Sequence, residues 1–195
     1  MSANLARAME SFVTDTYGRA AWRDVVRVAR IDFESFELLF DYPDAVTEPV
    51  LDAAARRLQR SRPDLMEDLG TYLVSHPHMV GIRRLLRFGG GDFETFLESL
   101  RELPDRARLV LPDLHLPSLR LTEDGGGRYA LDCTDASKDL CGVLLGGIRA
   151  MADDYGALVT TELAPGPDGG CRIQIVILSA SFSAGREFEL AGHAG

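Results

Sequence analysis

The chain has 195 residues, 46% of them apolar and 26% charged, with 21 basic and 30 acidic side chains and a formal net charge of −9. That length can bury a core without metals or a disulfide framework, and the acidic balance argues against nucleic acid or an anionic membrane as partner, since both require a basic face. No run approaches the ~18 apolar residues of a membrane span, and the amphipathic start, with Glu10 and Asp15, does not resemble a signal peptide, so a cytoplasmic protein is expected.

The first ~110 residues predict one helix after another. Leu5, Ala8, Met9, Phe12, Val13 and Tyr17 recur at helical spacing, and Gly18 is placed to end that helix. Residues 20–29 predict a second helix with Trp22, Val25 and Val26 inward. Phe33, Phe36, Leu39 and Phe40 crowd a connection that leads to a turn at Tyr42-Pro43-Asp44. A helix over residues 47–59 is expected next, with Thr47 as N-cap and Pro49 in its first turn. Ser61-Arg62-Pro63-Asp64 opens another, which must end before Pro77. Residues 80–88 form a short apolar helix ended by three glycines, and Asp92 caps a helix that presents Phe93, Phe96, Leu97, Leu100 and Leu103 on one face.

The pattern changes near Pro112, and residues 110–118, which include Pro117, read as an extended linker. Residues 119–122 and 129–133 flank Asp124-Gly125-Gly126-Gly127, a hairpin signal. Residues 137–155 predict one long helix with Leu140, Val143, Leu144, Ile148, Met151 and Tyr155 inward. Residues 157–163 and 171–178 predict a second strand pair, and residues 182–190 are a candidate for one more strand. The expected fold class is α+β within a single domain over 1–195. A helical N-terminal lobe (1–111) precedes a C-terminal lobe (117–190) of a long helix and a four-stranded antiparallel sheet.

Chemistry is sparse. Cys133, Cys141 and Cys171 are odd in number and lack CxxC spacing, so they predict neither a disulfide framework nor a zinc ribbon. They read as buried thiols in a reducing compartment. His76 and His78 flank Pro77 and are weak metal candidates, as is Cys133, but no acidic partner stands at a fixed spacing and a polar helix-ending turn is the simpler reading. His115 and His193 read as solvated. Acidic residues are scattered as on solvated helix faces, and the neighbours Asp153 and Asp154 point in different directions. With no nucleophile elbow, P-loop or dinucleotide fingerprint, an enzyme is not expected. An aromatic-rich helical lobe beside a long apolar helix suits a pocket for a hydrophobic ligand, although an ordinary core accounts for the same pattern.

Several segments, in order and spacing, resemble the haem nitric-oxide/oxygen-binding (H-NOX) domains, also found in soluble guanylate cyclases. These are Leu5 to Val13 through Tyr17-Gly18 and Trp22; Tyr42-Pro43-Asp44; Leu69-Gly70-Thr71-Tyr72-Leu73; Leu85-Leu86-Arg87-Phe88-Gly89-Gly90 through Phe93, Phe96-Leu97 and Leu100; Pro117; and Leu140-Cys141-Gly142-Val143-Leu144-Leu145-Gly146. The resemblance implies a helical distal lobe, a proximal lobe of long helix and sheet, and haem b between them. It implies a pocket lined by Leu73, Pro77, Leu100, Gly142 and Gly146. The family's iron-ligating histidine falls at Pro104, which has no imidazole and cannot donate a helix hydrogen bond, so a kinked or restarted helix is expected there. Its Tyr-x-Ser-x-Arg propionate anchor falls at Cys133, Asp135 and Ser137, where the cation and bidentate donor are gone and a negative charge has been added.

Four departures at one site argue against haem held in the family's way. The expected function is then a stand-alone bacterial sensory or regulatory domain, without family-type haem, acting in trans on a signalling protein. That partner would be a cyclase, a cyclic-dinucleotide enzyme or a histidine kinase. The alternatives are a gas sensor with a non-standard axial ligand and a sensor or carrier of another hydrophobic molecule. Large side chains at Tyr72, Phe96, Leu100, Leu144 and Ile148 are expected to reduce the pocket, whereas Gly142 and Gly146 leave room for a flat ligand or a close helix.

Overall fold

The computed structural model describes residues 2–37, 40, 42–110, 116–183 and 185. Leu39, Pro112, His115, His193 and most of the candidate tail strand lie outside them. The chain forms two compact units, residues 1–69 and 70–195, which divide inside one helix.

The N-terminal unit holds α1 (Ser2–Tyr17), α2 (Arg19–Ala29), α3 (Asp44–Leu58) and the first half of α4 (Arg62–Ser75). The apolar stripes meet as their 3.6-residue period requires: Met9, Val13, Val25, Val50, Leu51, Leu65, Met66 and Leu69 are fully buried. The connection after α2 is held by its aromatic residues. Phe33, Phe36 and Tyr42 stack with ring centroids 4.8–5.1 Å apart, the Phe36 amide donates to the Glu10 carboxylate at 2.8 Å, and Trp22 Nε1 donates to the Glu34 carbonyl at 2.7 Å. The helix expected from Thr47 begins three residues earlier. Pro43 is its cap residue, the Val46 and Thr47 amides bond to the Pro43 carbonyl, and Thr47 is fully buried rather than capping. Pro49 therefore lies beyond the first turn, where its missing N–H leaves one helix bond unmade.

The C-terminal unit continues with α5 (Val80–Arg87), α6 (Phe93–Ser99) and α7 (Leu103–Val110), then β1 (Ser118–Gly125), β2 (Arg128–Thr134), α8 (Lys138–Tyr155), β3 (Leu158–Pro165) and β4 (Cys171–Ser179). The sheet is antiparallel throughout in the order β1-β2-β4-β3. Gly125, Gly126 and Gly127 all take positive φ in the β1–β2 turn, a run of left-handed residues that a side chain at each would strain. Period-2 alternation puts Tyr129, Leu131 and Cys133 opposite Ile175, Ile173 and Cys171, all buried in one core with Phe93, Phe96, Leu100, Ile148 and Met151.

Within this unit the end of α4 packs directly on α8. A Cβ built on Gly70 would fall on the Val143 carbonyl and crowd the Gly147 amide, and Thr71 Oγ1 donates to the Gly146 carbonyl at 3.5 Å. Gly70→Ala is therefore expected to destabilise the protein by about 1–3 kcal/mol through overpacking. Gly147→Ala, whose new methyl would meet only Val74 Cγ2 at 3.9 Å and the Gly70 carbonyl at 4.0 Å, should be neutral or gain a few tenths of a kcal/mol from helix propensity. Urea unfolding of the two variants separates these outcomes.

Candidate functional site

The residues singled out by the resemblance are spread over α4 and the turn after it, the α6–α7 restart, the end of β2 and α8. After α6 the chain makes a 3-10 turn (Leu100–Glu102) and restarts as α7, with Pro104 as its second residue. The restart expected at Pro104 is thus present, because a first-turn proline lacks only an N–H that has no helical acceptor. Arg106 Nη2 donates back to the Ser99 carbonyl at 2.9 Å and ties the two helices. Pro104 is buried, as is Leu100, which joins Cys133 in the core. Asp135 is exposed with φ +58°. Ser137, also exposed, uses its Oγ to accept from the Leu140 amide at 3.3 Å and so caps α8. Gly142 and Gly146 are buried on α8, Leu73 is half-buried on α4, and Pro77 is exposed in the 3-10 turn Pro77–Met79.

His76 and His78 do come together. Their rings lie 5.0 Å apart, His76 also stacks on Tyr72 at 4.8 Å, and the His76 side chain accepts from the His78 amide at 3.4 Å. A ring nitrogen of His76 is thus spent on capping the turn. On the outer sheet face, away from these residues, Ser118, Arg120, Asp132, Thr134 and Pro167 line a hollow of about 230 Å³.

The cysteines depart from expectation. Cys141, near the start of α8, and Cys171, the first residue of β4, form a disulfide with a Cα–Cα distance of 6.3 Å. Spacing along the chain could not disclose this, because 30 residues separate the partners and only the packing of α8 over the sheet joins them. Cys133 keeps its thiol and is fully buried. Burial, and secondarily the Asp132 charge, push that thiol up to about 12, so it stays protonated at neutral pH and is neither a metal-ready thiolate nor a reactive nucleophile. A group raised in the folded state contributes stability that is complete below its unfolded value of about 9 and is lost as pH rises towards 12. Stability should therefore fall by up to about 1.4 kcal/mol per pH unit across that window. Cys133→Ala should flatten the slope in urea titrations at pH 8 and pH 10.5.

Two acidic residues that read as solvated are buried instead. Asp154 is 3% exposed and pairs with Arg83 Nη2 at 2.6 Å and Arg87 Nε at 3.0 Å, both from α5. Arg87 also lies 4.1 Å over the Tyr155 ring, whose hydroxyl donates to the Gly90 carbonyl at 2.8 Å. The signal was available: Asp154 follows Met151 by three positions and so falls on the inward stripe of α8. Asp132 on β2 takes a bidentate pair of bonds from Arg172 on β4, at 2.6 and 2.8 Å. Those bonds, against some burial, hold its carboxyl below the usual range. Stability from this pair is present above the unfolded value near 4 and is lost as pH falls below it.

An all-helical segment followed by a long helix on a four-stranded antiparallel sheet is the architecture that the H-NOX resemblance implies. Solved H-NOX structures share it. A T. tengcongensis H-NOX mutant matches with a TM-score of 0.72 over 92% of this chain and 99% of its own at 13% identity. The S. oneidensis H-NOX in the Fe(II)NO state matches with a TM-score of 0.71 over 92% and 100% at 15% identity. The Haem-NO-binding (HNOB) family matches residues 4–163, and the chain belongs to that family. Among curated relatives, soluble guanylate cyclase 89Db of Drosophila melanogaster is 26% identical over 142 residues, covering 71% of this chain and 21% of the relative. Guanylate cyclase soluble subunit beta-2 of Rattus norvegicus is 30% identical over 91 residues, covering 47% of this chain and 13% of the relative. The chain thus spans about a fifth or less of the length of these relatives.

The family implies haem. At the positions that the resemblance gives to the haem ligand and anchors, the residues present do not fit that group: Pro104 has no imidazole to offer iron, the Cys133 thiol is buried and protonated, Asp135 brings a negative charge, and Ser137 is engaged as a helix cap. Among the described residues no helix is long and apolar enough to cross a membrane.

Proposed function

We propose that this chain is a regulatory H-NOX-type domain that does not hold haem through the family's ligands and that acts on a signalling partner by protein–protein contact. The partner classes that fit are a cyclase, a cyclic-dinucleotide enzyme or a histidine kinase. The observation carrying the reading is a buried proline in the first turn of α7, at the position that the resemblance gives to the axial histidine. The three anchor substitutions act in the same direction, since two carboxylates would meet Asp135 and no cation. Ligation through Cys133 is disfavoured because thiolate, not thiol, binds ferric haem.

The test is the absorption spectrum of the protein purified from cells supplied with a haem precursor. The expected result is no Soret band at one haem per chain; a stoichiometric band overturns the reading. Pro104→His is expected to introduce weak ligation, and adding Ser137→Arg and Cys133→Tyr should strengthen it. Tight haem binding by the wild type that Pro104→His leaves unchanged would place the iron ligand elsewhere.

A further inference from the structure

All three cysteines of the chain occupy one place. Cys133 on β2 and Cys171 on β4 are direct cross-strand partners, and such partners project from the same face of a sheet, with Cβ atoms about 4.5–5.5 Å apart. Cys141 reaches the same face from α8 and is bonded to Cys171. All three belong to one buried core. Cys171 thus has two sulfur neighbours, one joined to it at a Cα–Cα distance of 6.3 Å and one free, whose Cα, as that of an antiparallel partner, stands about 4.5–5.5 Å away; both fall within the Cα span of roughly 4.4–6.8 Å that a disulfide bridges.

We propose that the Cys141–Cys171 disulfide is a thiol-responsive lock between the start of α8 and the start of β4, with Cys133 as the second partner of Cys171 when the lock opens. Both locked residues stand at the ends of their elements, Cys141 in the opening turns of α8 and Cys171 at the first position of β4. Element ends open at lower free energy than element centres. This proposal goes beyond the haem-free reading and does not depend on it.

The chemistry balances with a small cellular thiol as reductant. Its thiolate attacks Cys141 Sγ, the S–S bond breaks, and Cys171 leaves as a thiolate that takes up a proton. A second small thiol attacks the mixed disulfide, releasing the Cys141 thiol and a small-molecule disulfide. Two electrons pass from two small thiols to the protein bond. In the reverse sense, Cys171 attacks a small disulfide and expels one small thiol. The Cys133 thiolate then attacks the mixed disulfide at Cys171 and expels the other. While the core is closed, the protonated Cys133 does not exchange with the existing bond, so the switch is silent until the junction opens.

The full chain is equilibrated in glutathione buffers from fully oxidised to fully reduced, its thiols are trapped by alkylation, and the peptides are mapped by mass spectrometry. At the oxidised end the Cys141–Cys171 bond and a free Cys133 are expected. With millimolar reduced glutathione in excess the bond should open while the far-ultraviolet dichroism remains folded. Hydrogen exchange over residues 138–145 and 171–175 should then rise about tenfold or more, with residues 1–69 unchanged. Oxidised glutathione should drive a Cys133–Cys171 bond in Cys141→Ser. Should that variant fail to fold, the same bond is sought as a minor isomer in partly reoxidised wild type and must be absent from Cys133→Ser. A Cys141–Cys171 bond that survives every buffer until denaturant is added overturns the proposal. So does reduction without a change in exchange, or the absence of any Cys133–Cys171 species.

Discussion

Replacing Asp154 by alanine is expected to cost about 3–5 kcal/mol of stability, measured as the shift in urea unfolding followed by circular dichroism. The carboxylate is 3% exposed and the side chains of its partners Arg83 and Arg87 only 19% and 13%. Truncation leaves two largely buried guanidinium groups without their carboxylate, and that desolvation penalty, not the intrinsic worth of the ion pairs, sets the magnitude. The segment at risk is α5, which has no residue of its own in the fully buried class and rests on the core through the partly buried Leu85 and Leu86. Asp154→Asn keeps the shape and loses the charge, so most of the cost should remain. Adding Arg83→Met and Arg87→Leu to Asp154→Leu should recover much of it, because apolar groups of similar size often replace a buried ion pair with little penalty. A loss below about 1 kcal/mol for the alanine variant would show that water reaches this cluster and screens it.

Reduction of the Cys141–Cys171 bond, or the double variant Cys141→Ser/Cys171→Ser, is expected to lower stability by about 3–4 kcal/mol in the chain-entropy account, given the 30-residue separation it closes. The loop comprises α8, β3 and the turn before β4, so the loss should fall on the C-terminal unit and leave the 1–69 unit intact. The variant should cost at least as much as reduction, since two serine hydroxyls would replace sulfurs in positions only 2% and 6% exposed. Equal urea midpoints with and without reductant would mean that the bond either fails to form or constrains nothing in the unfolded chain.

What was legible in the sequence was local. Helical and strand periods predicted seven of the eight α-helices and all four described strands in order, because each element buries its own apolar face at its own repeat; the one helix expected to carry Phe93 through Leu103 is instead α6, a 3-10 turn and α7. Short-range chemistry was legible too: Asp92 accepts from the Thr95 amide at 2.8 Å as a cap must, and Pro104 forces the chain to restart as α7. Thr47 was misplaced because a cap signature and a buried threonine carry the same residue type, and only the bonds to the Pro43 carbonyl distinguish them. The family resemblance was legible as an ordered set of segments, and the match over residues 4–163 bears it out.

The tertiary structure alone decided which distant side chains meet. The crossing that inserts β4 between β2 and β3 sets Cys171 beside Cys133, and the packing of α8 brings Cys141 to both. The same packing turns Asp154 from an apparently solvated charge into the buried counter-ion of two arginines. Periodicity reports which face of an element is apolar, but the partner across that face is set by the entropy and packing of the whole chain. A pairing across 30 residues or more leaves no repeat in the sequence from which it could be read.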